Sequence, residues 1–260
     1  MAESRGVLIC GELTDGKPTS ITYELLGVGR RLADTLGGKL SALLMGSGIG
    51  DAAQDVIAQG ADRVYLVDDP LLKNYQSDSY VAVAAKACQE TLPEIVLLGQ
   101  TSVGRDLAPH LAFRLGTGLA MDCIELSVDP GTRLMSMVRP VYGGSDLAVF
   151  VCEKTRPQIA TVRAKAMSPL PRDDSRSGEA VKLEAGLDPA TVKVKYIETV
   201  KEEAEGIKLE DAEGVVRGGR GMGGAENFKL LEELAKILGG ALGGSRPACD
   251  SGWIASTLQV

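Results

Sequence analysis

Gly214-Val-Val-Arg-Gly-Gly-Arg-Gly-Met-Gly-Gly224 decides how the end of this chain is read. A short apolar run at Val215 and Val216 enters a turn rich in glycine and arginine. A helix-period segment leaves it, with Phe228, Leu231, Leu234 and Leu238 recurring at three- and four-residue spacing. The stretch therefore predicts strand, loop and helix in succession. Such a junction suits an anion, because the first amides of a helix lack intrahelical acceptors and the backbone dipoles leave partial positive charge there. Gly219, Gly221 and Gly224 carry no β-carbon to hold a phosphate off the backbone. Arg220 adds a full charge and a forked donor set. The run also matches G-x-G-x-x-G, but that pattern alone is weak, and a tight turn with a solvated arginine satisfies it equally well.

A second cluster, Gly239-Gly-Ala-Leu-Gly-Gly-Ser-Arg246, repeats the theme about one βα unit later, with Ser245 and Arg246 after the glycines. In a parallel α/β sheet successive strand ends open on one edge and share one crevice. Two such loops on one edge imply a long anionic ligand.

Gly218-Gly-Arg-Gly-Met-Gly-Gly-Ala-Glu-Asn-Phe228, Ser245-Arg-Pro-Ala-Cys-Asp250 and Leu258-Gln-Val260 closely resemble the start of the FAD-binding domain of electron transfer flavoprotein alpha subunits. Upstream, Arg139-Pro-Val-Tyr-Gly-Gly144 and Thr161-Val-Arg163 extend the resemblance over most of the chain. It implies an FAD whose pyrophosphate and flavin are held by these loops. By resemblance, Arg220 and Ser245 serve the phosphates or the adjoining ribityl chain, with Gly221 in the same loop. Arg246 lies near the isoalloxazine, and Val260 stands at the edge of a flavin-contacting loop. The family's chain runs on into a Gly-Gln-Thr-Gly loop and a Ser-Gly-Ala-rich helix. Here about 45 residues follow Gly214, against ~100 for a usual self-sufficient domain, so the second domain is expected to be incomplete, truncated at its C-terminus.

From Gly6 to about Thr117 short apolar runs alternate with helix-period segments. Strands are expected at Val7–Gly11, Lys39–Met45, Arg63–Val67 and Ile95–Gly99. Helices are expected from Ser20, as N-cap, to Leu36 with closure at Gly37 and Gly38, then at Asp51–Ala58, Ser79–Leu92 and Arg105–Leu115. Strands apolar throughout predict burial on both faces, hence a parallel sheet between helices. From Met121 to Lys165 longer segments, Cys123–Val128, Leu134–Val141, Asp146–Val151 and Gln158–Arg163, separated by Pro130-Gly131 and Gly143-Gly144, predict an antiparallel portion joining the sheet edge. Ser168–Asp188 reads as a surface loop or linker, Thr191–Ile197 as an edge strand and Lys201–Glu205 as a solvated turn.

The expected fold class is therefore α/β: a largely parallel, doubly wound sheet with helices on both faces, of the adenine nucleotide hydrolase-like kind, plus an antiparallel portion. An N-terminal domain of residues 1–207, with the subunit interface, would be followed by the partial FAD-binding domain at 208–260. Leu44–Gly50 and Leu98–Gly104 place glycines where a nucleotide docks in such folds, yet neither has a Walker-A lysine, and both are read as structural.

The composition, 44% hydrophobic and 24% charged, is that of a soluble globular protein, and a net charge of −7 argues against general nucleic-acid binding. Cys10, Cys88, Cys123, Cys152 and Cys249 are scattered without zinc or iron–sulfur spacing, so no metal site is expected and most read as buried free thiols of a reducing cytosol. Met1–Arg5 lacks the apolar core of a signal peptide, and no apolar run reaches the ~18 residues of a membrane span, so a cytoplasmic protein is expected. His110, the sole histidine, falls in a helix-period segment and reads as structural, leaving no Ser-His-Asp set.

The resemblance thus implies an electron carrier: an alpha subunit paired with an electron transfer flavoprotein beta subunit as a heterodimer. Its FAD would take electrons from an acyl-CoA-type dehydrogenase, as in fatty acid beta-oxidation, or from an NADH-linked partner, and pass them to a membrane-associated, quinone-linked or other acceptor. The rival is a non-redox adenine-nucleotide-binding or sensor module built on residues 1–207. An NAD-linked dehydrogenase fits poorly, because positions 238 to 249 hold no acid for the ribose.

Overall fold

The computed structural model describes residues 6–188, 190, 192, 194, 196–198, 209 and 212–260. The chain divides into two compact units, Met1–Tyr196 and Ile197–Val260. The expectations for Met1–Arg5, for much of Thr191–Ile197, for Lys201–Glu205 and for most of the boundary at 207–214 lie outside the described residues.

In the first unit the parallel strands are β1 (Val7–Gly11), β2 (Leu40–Gly46), β3 (Arg63–Asp68), β4 (Ile95–Gly99) and β5 (Leu119–Cys123). Between the first four run α1 (Ser20–Leu36), α2 (Ala52–Ala58) and α3 (Ser77–Thr91), and α4 (Ser102–Leu115) leads from β4 to β5. An antiparallel set follows: β6 (Glu125–Val128), β7 (Met135–Val141) and β8 (Asp146–Val151). Then come β9 (Gln158–Val162) and β10 (Glu179–Lys182). The main sheet has seven strands in the order β10-β3-β2-β1-β4-β9-β5, every neighbouring pair parallel.

Period-two side-chain alternation explains why the central strands are apolar at every position. Val7 and Ile9 join one buried cluster with Leu25, Leu32 and Val56, while Leu8 and Cys10 join the other with Val83 and Leu111. Helices α1 and α2 thus cover one face, α3 and α4 the other, giving the doubly wound layers that the pattern predicts. In α1, Ile21, Leu25, Val28, Leu32 and Leu36 form the buried stripe. Gly37, at φ 62°, closes the helix, with its N–H on Asp34 O and that of Gly38 on Ala33 O.

The structure corrects four local expectations. Ser20 is the first helical residue rather than the cap; Thr19 is the N-cap, and its hydroxyl bonds Glu12 O instead of a helix amide. Helix α4 begins at Ser102, three residues before Arg105, because the Thr101 hydroxyl caps it by accepting from Gly104 N at 3.0 Å. The antiparallel strands do not join the sheet edge but form a separate three-stranded sheet, β8-β7-β6. The apolar run from Cys123 is accordingly two strands, not one. Asp122 adopts φ 64°, Cys123 O accepts from Arg163 N, and Ile124 N already donates to Val138 O, so the chain changes sheets between adjacent residues. Gln158–Val162, expected in the antiparallel portion, pairs in parallel with β4 and β5.

The fourth correction concerns the linker. Ser168–Asp188 contains strand β10, which extends the main sheet beside β3, and ion pairs hold its approach: Arg172 to Asp55 at 2.9 Å, Arg176 to Asp62 at 2.8 Å and Arg63 to Glu179. Asp62 also takes Arg30 at 2.6 Å and the Leu40 amide, tying α1, β2 and this strap to one carboxylate.

The second unit holds β11 (Val215–Gly218), α5 (Phe228–Leu238), β12 (Ala241–Gly244) and α6 (Arg246–Asp250), with β11 and β12 paired in parallel. This is the predicted strand, loop and helix. Two 3₁₀ turns, Arg220–Met222 and Ala225–Asn227, fill the loop. Phe228 and Ala235 are buried and Leu231 packs over Gly218, whereas Leu230, Leu234, Ile237 and Leu238 are exposed.

Candidate functional site

Because β11 and β12 are parallel, both glycine–arginine loops leave the same edge of the second unit. Ser245 N donates to Gly218 O at 2.9 Å, and a β-carbon on Gly219 would stand 3.3 Å from Ser245 Oγ, so the two loops are in contact. Gln259 bridges to Gly244 in parallel and Val260 N donates to Gly244 O at 2.9 Å, which brings the chain's last residue beside the second loop. All five residues singled out from the sequence, Arg220, Gly221, Ser245, Arg246 and Val260, therefore gather around the carboxyl end of one strand pair.

Gly218 is required by packing: a β-carbon would come within 2.5 Å of Leu231, 2.9 Å of Met222 and 3.0 Å of Phe228. Gly221 is different. A β-carbon there would meet nothing within 4 Å, so the turn is open on that side. The first internal bond of the turn is Met222 N to Gly219 O at 3.0 Å, and among the described residues the preceding amides of Arg220 and Gly221 donate to no backbone carbonyl. The expectation that a helix N-terminus abuts this loop directly needs adjustment, since Asn227 ends a 3₁₀ turn and its Nδ2 holds Met222 O at 2.6 Å instead of capping. Glu226, which the sequence reading passed over, reaches back over Gly224, where a β-carbon would meet its carboxylate at 2.5 Å.

Both arginines are exposed. Arg220 makes no ion pair among the described residues, and Arg246 reaches Asp250 only at 3.5 Å, with its side chain 79% exposed. A pair so exposed contributes little and does not fix the guanidinium. Two exposed cations, open amides and small residues on one edge fit an extended anion such as a cofactor pyrophosphate.

In the glycine loops of the first unit, side chains of the same unit take several of the amides. Asp68 accepts from Gly48 N at 2.7 Å and from Ile49 N at 3.3 Å, and Thr101 takes Gly104 N. Their reading as structural matches this geometry. Among the described residues no three His, Cys, Asp or Glu side chains group as a metal site, and no helix is long and apolar enough to cross a membrane. All five cysteines are free. Burial pushes the Cys88 thiol up to about 12 and that of Cys123 to about 11, leaving both inert at neutral pH. His110 lies exposed on α4 with Nδ1 2.7 Å from Asp106 O, and among the described residues it pairs with no hydroxyl or thiol.

A family model described as the electron transfer flavoprotein domain matches residues 7–188, and one described as the electron transfer flavoprotein FAD-binding domain matches 208–260. The chain is 41% identical over 262 residues to the electron transfer flavoprotein subunit alpha of Megasphaera elsdenii, covering all of this chain and 78% of that one. The chain belongs to the electron transfer flavoprotein alpha-subunit family. A second alpha subunit, from Thermoanaerobacterium thermosaccharolyticum, is 40% identical with the same coverage, and the protein FixB of Clostridium saccharobutylicum is 39% identical over all of this chain and 77% of its own. The function is accordingly that of an electron transfer flavoprotein, and the open Gly/Arg edge falls within the residues matched by the family's cofactor-binding domain.

Proposed function

We propose that the edge formed by Gly219–Gly221, Ser245–Arg246 and Val260 holds FAD, and that residues 208–260 belong to the domain that carries it. Arg220 and Ser245 serve the phosphates or ribityl chain, the Arg220 and Gly221 amides add donors, and Arg246 stands beside the isoalloxazine. The observation supporting this most is the contact between the two loops through Ser245 N and Gly218 O, which gives one anionic ligand access to both arginines. Bound flavin supplies the redox chemistry; the chain binds, orients and tunes it. A cation fixed near the ring favours negative charge on the reduced cofactor and raises its potential. The exposed 3.5 Å contact with Asp250 leaves Arg246 free to take that role.

The same proposal makes this chain one half of a heterodimer with a beta subunit. Strand β8 and the turn before it offer an apolar docking surface: Tyr142 is 85% exposed, and Leu147, Val149 and Val151 share one strand face and are all exposed. The complex takes electrons from an acyl-CoA-type dehydrogenase or an NADH-linked partner and delivers them to an acceptor oxidoreductase, membrane-associated and quinone-linked or otherwise. We place it in the cytoplasm. The rival nucleotide-sensor reading is disfavoured by the two family matches, which together cover most of the chain.

The test is potentiometric. In the intact, FAD-loaded protein, Arg246→Ala lowers the flavin midpoint potential and weakens FAD binding by about tenfold or more, while the melting temperature of the apoprotein stays unchanged. An unaltered potential and affinity refute the assignment.

A further inference from the structure

The carboxyl ends of β1, β2 and β4 enclose a cavity of about 210 Å³ in the first unit, separate from the residues assigned to FAD. Strand carboxyl ends are where open α/β sheets take ligands. Cys10, Met45, Leu98 and Leu107 give it an apolar floor, and Tyr75 and Tyr80 a wall, their rings edge to face at 4.8 Å. Both phenols are already engaged: Tyr75 OH donates to Asp106 at 2.7 Å and Tyr80 OH to Leu72 O at 2.9 Å. The rings thus offer carbon surface to the cavity.

Glu12 is the polar group that sets the chemistry. Its Oε1 accepts from the Thr101 hydroxyl at 2.6 Å; its Oε2 accepts no hydrogen bond among the described residues. Burial raises the Glu12 pKa, more than the Thr101 bond lowers it. A carboxylate oxygen with no protein partner is free to accept an N–H that a ligand brings. The lining excludes phosphate. Glu12 would repel it, and among the described residues the only lining cation is the exposed Lys73. An apolar cavity of about 150 Å³ accommodates benzene. This larger one has room for a fused bicyclic ring.

We infer that this cavity binds a small, phosphate-free, planar heteroaromatic amine, its ring against Tyr75, Tyr80 and Met45 and its N–H on Glu12 Oε2. The inference is independent of the FAD assignment, because the two sites share no residue.

Calorimetric titration of the intact protein with 2-aminobenzimidazole tests it. Saturable binding with a Kd of about 0.1 to 1 mM is expected. Benzimidazole, which lacks the exocyclic amine, binds about tenfold or more weakly, and AMP gives no heat. Glu12→Gln weakens binding by about tenfold, and Val103→Trp, which plugs the cavity from a half-buried lining position, abolishes it without lowering the melting temperature. Absence of saturable heat, or undiminished binding by Val103→Trp, overturns the site. AMP binding that Val103→Trp removes overturns the exclusion of phosphate.

Discussion

The first unit and the second both end parallel strands in glycine-rich loops, yet the loops differ in where their amides go. In the first unit Gly48, Ile49 and Gly104 donate to Asp68 and Thr101, side chains of the same fold. In the second, the amides of Arg220 and Gly221 find no backbone acceptor among the described residues, and two arginines stand exposed beside them. Glycine content alone therefore does not mark an anion site. The deciding quantity is whether the donors that glycine exposes have already been satisfied within the chain, and whether a cation stands nearby.

The sharpest way to break this contrast is at Gly104. A β-carbon there would lie 1.9 Å from Gly99 O, a backbone atom held in β4, so neither side can yield cheaply. Gly104→Ala is expected to destabilise the first unit by about 3 kcal/mol or more, beyond the usual overpacking range because backbone must move. Urea denaturation followed by far-UV circular dichroism measures it; a loss below about 1 kcal/mol would mean that this loop is not tightly closed.

Asp68→Ala sharpens the same comparison with a smaller expected effect. It strips the acceptor from two loop amides, at a cost of about 2 kcal/mol. It also creates free amides without supplying a cation, so phosphate should protect the variant against heat no more than it protects the parent. Protection by millimolar phosphate exceeding that of the parent would show that open amides suffice and that the arginines of the second unit are secondary.

What the sequence made legible follows the same physics. Runs such as Val7–Cys10 and Ile95–Leu98 are buried on both faces, and that requirement writes itself into every position. The gathering of Arg220, Ser245 and Arg246 was legible because parallel strands must open their loops on one edge. Strand β10 was not: Glu179-Ala-Val-Lys182 is short and half charged, and its place beside β3 depends on partners such as Arg63, 116 residues earlier in the chain. The split between β5 and β6 was hidden as well, since Cys123, Leu126 and Val128 are all buried and only the left-handed backbone at Asp122 marks the change of sheet. The role of Glu12 was invisible because its partner, Thr101, lies 89 residues away.

Gly221 carries the smallest stability effect and the cleanest separation of fold from function. Its β-carbon position is open to 4 Å, and its φ lies outside the left-handed region, so alanine fits both the space and the backbone. Gly221→Ala should leave stability within about 0.5 kcal/mol of the parent, or raise it slightly by restricting the unfolded chain. FAD affinity should nevertheless fall by about tenfold, because a methyl group would stand where the cofactor must approach the amides. Fluorescence titration of the apoprotein with FAD, paired with a thermal melt, reads both quantities on one sample. Unchanged affinity would place the cofactor away from this turn. A large drop in melting temperature would mean that the turn is packed from a side that the fold leaves open, and the contrast with Gly104 would then fail from the opposite direction.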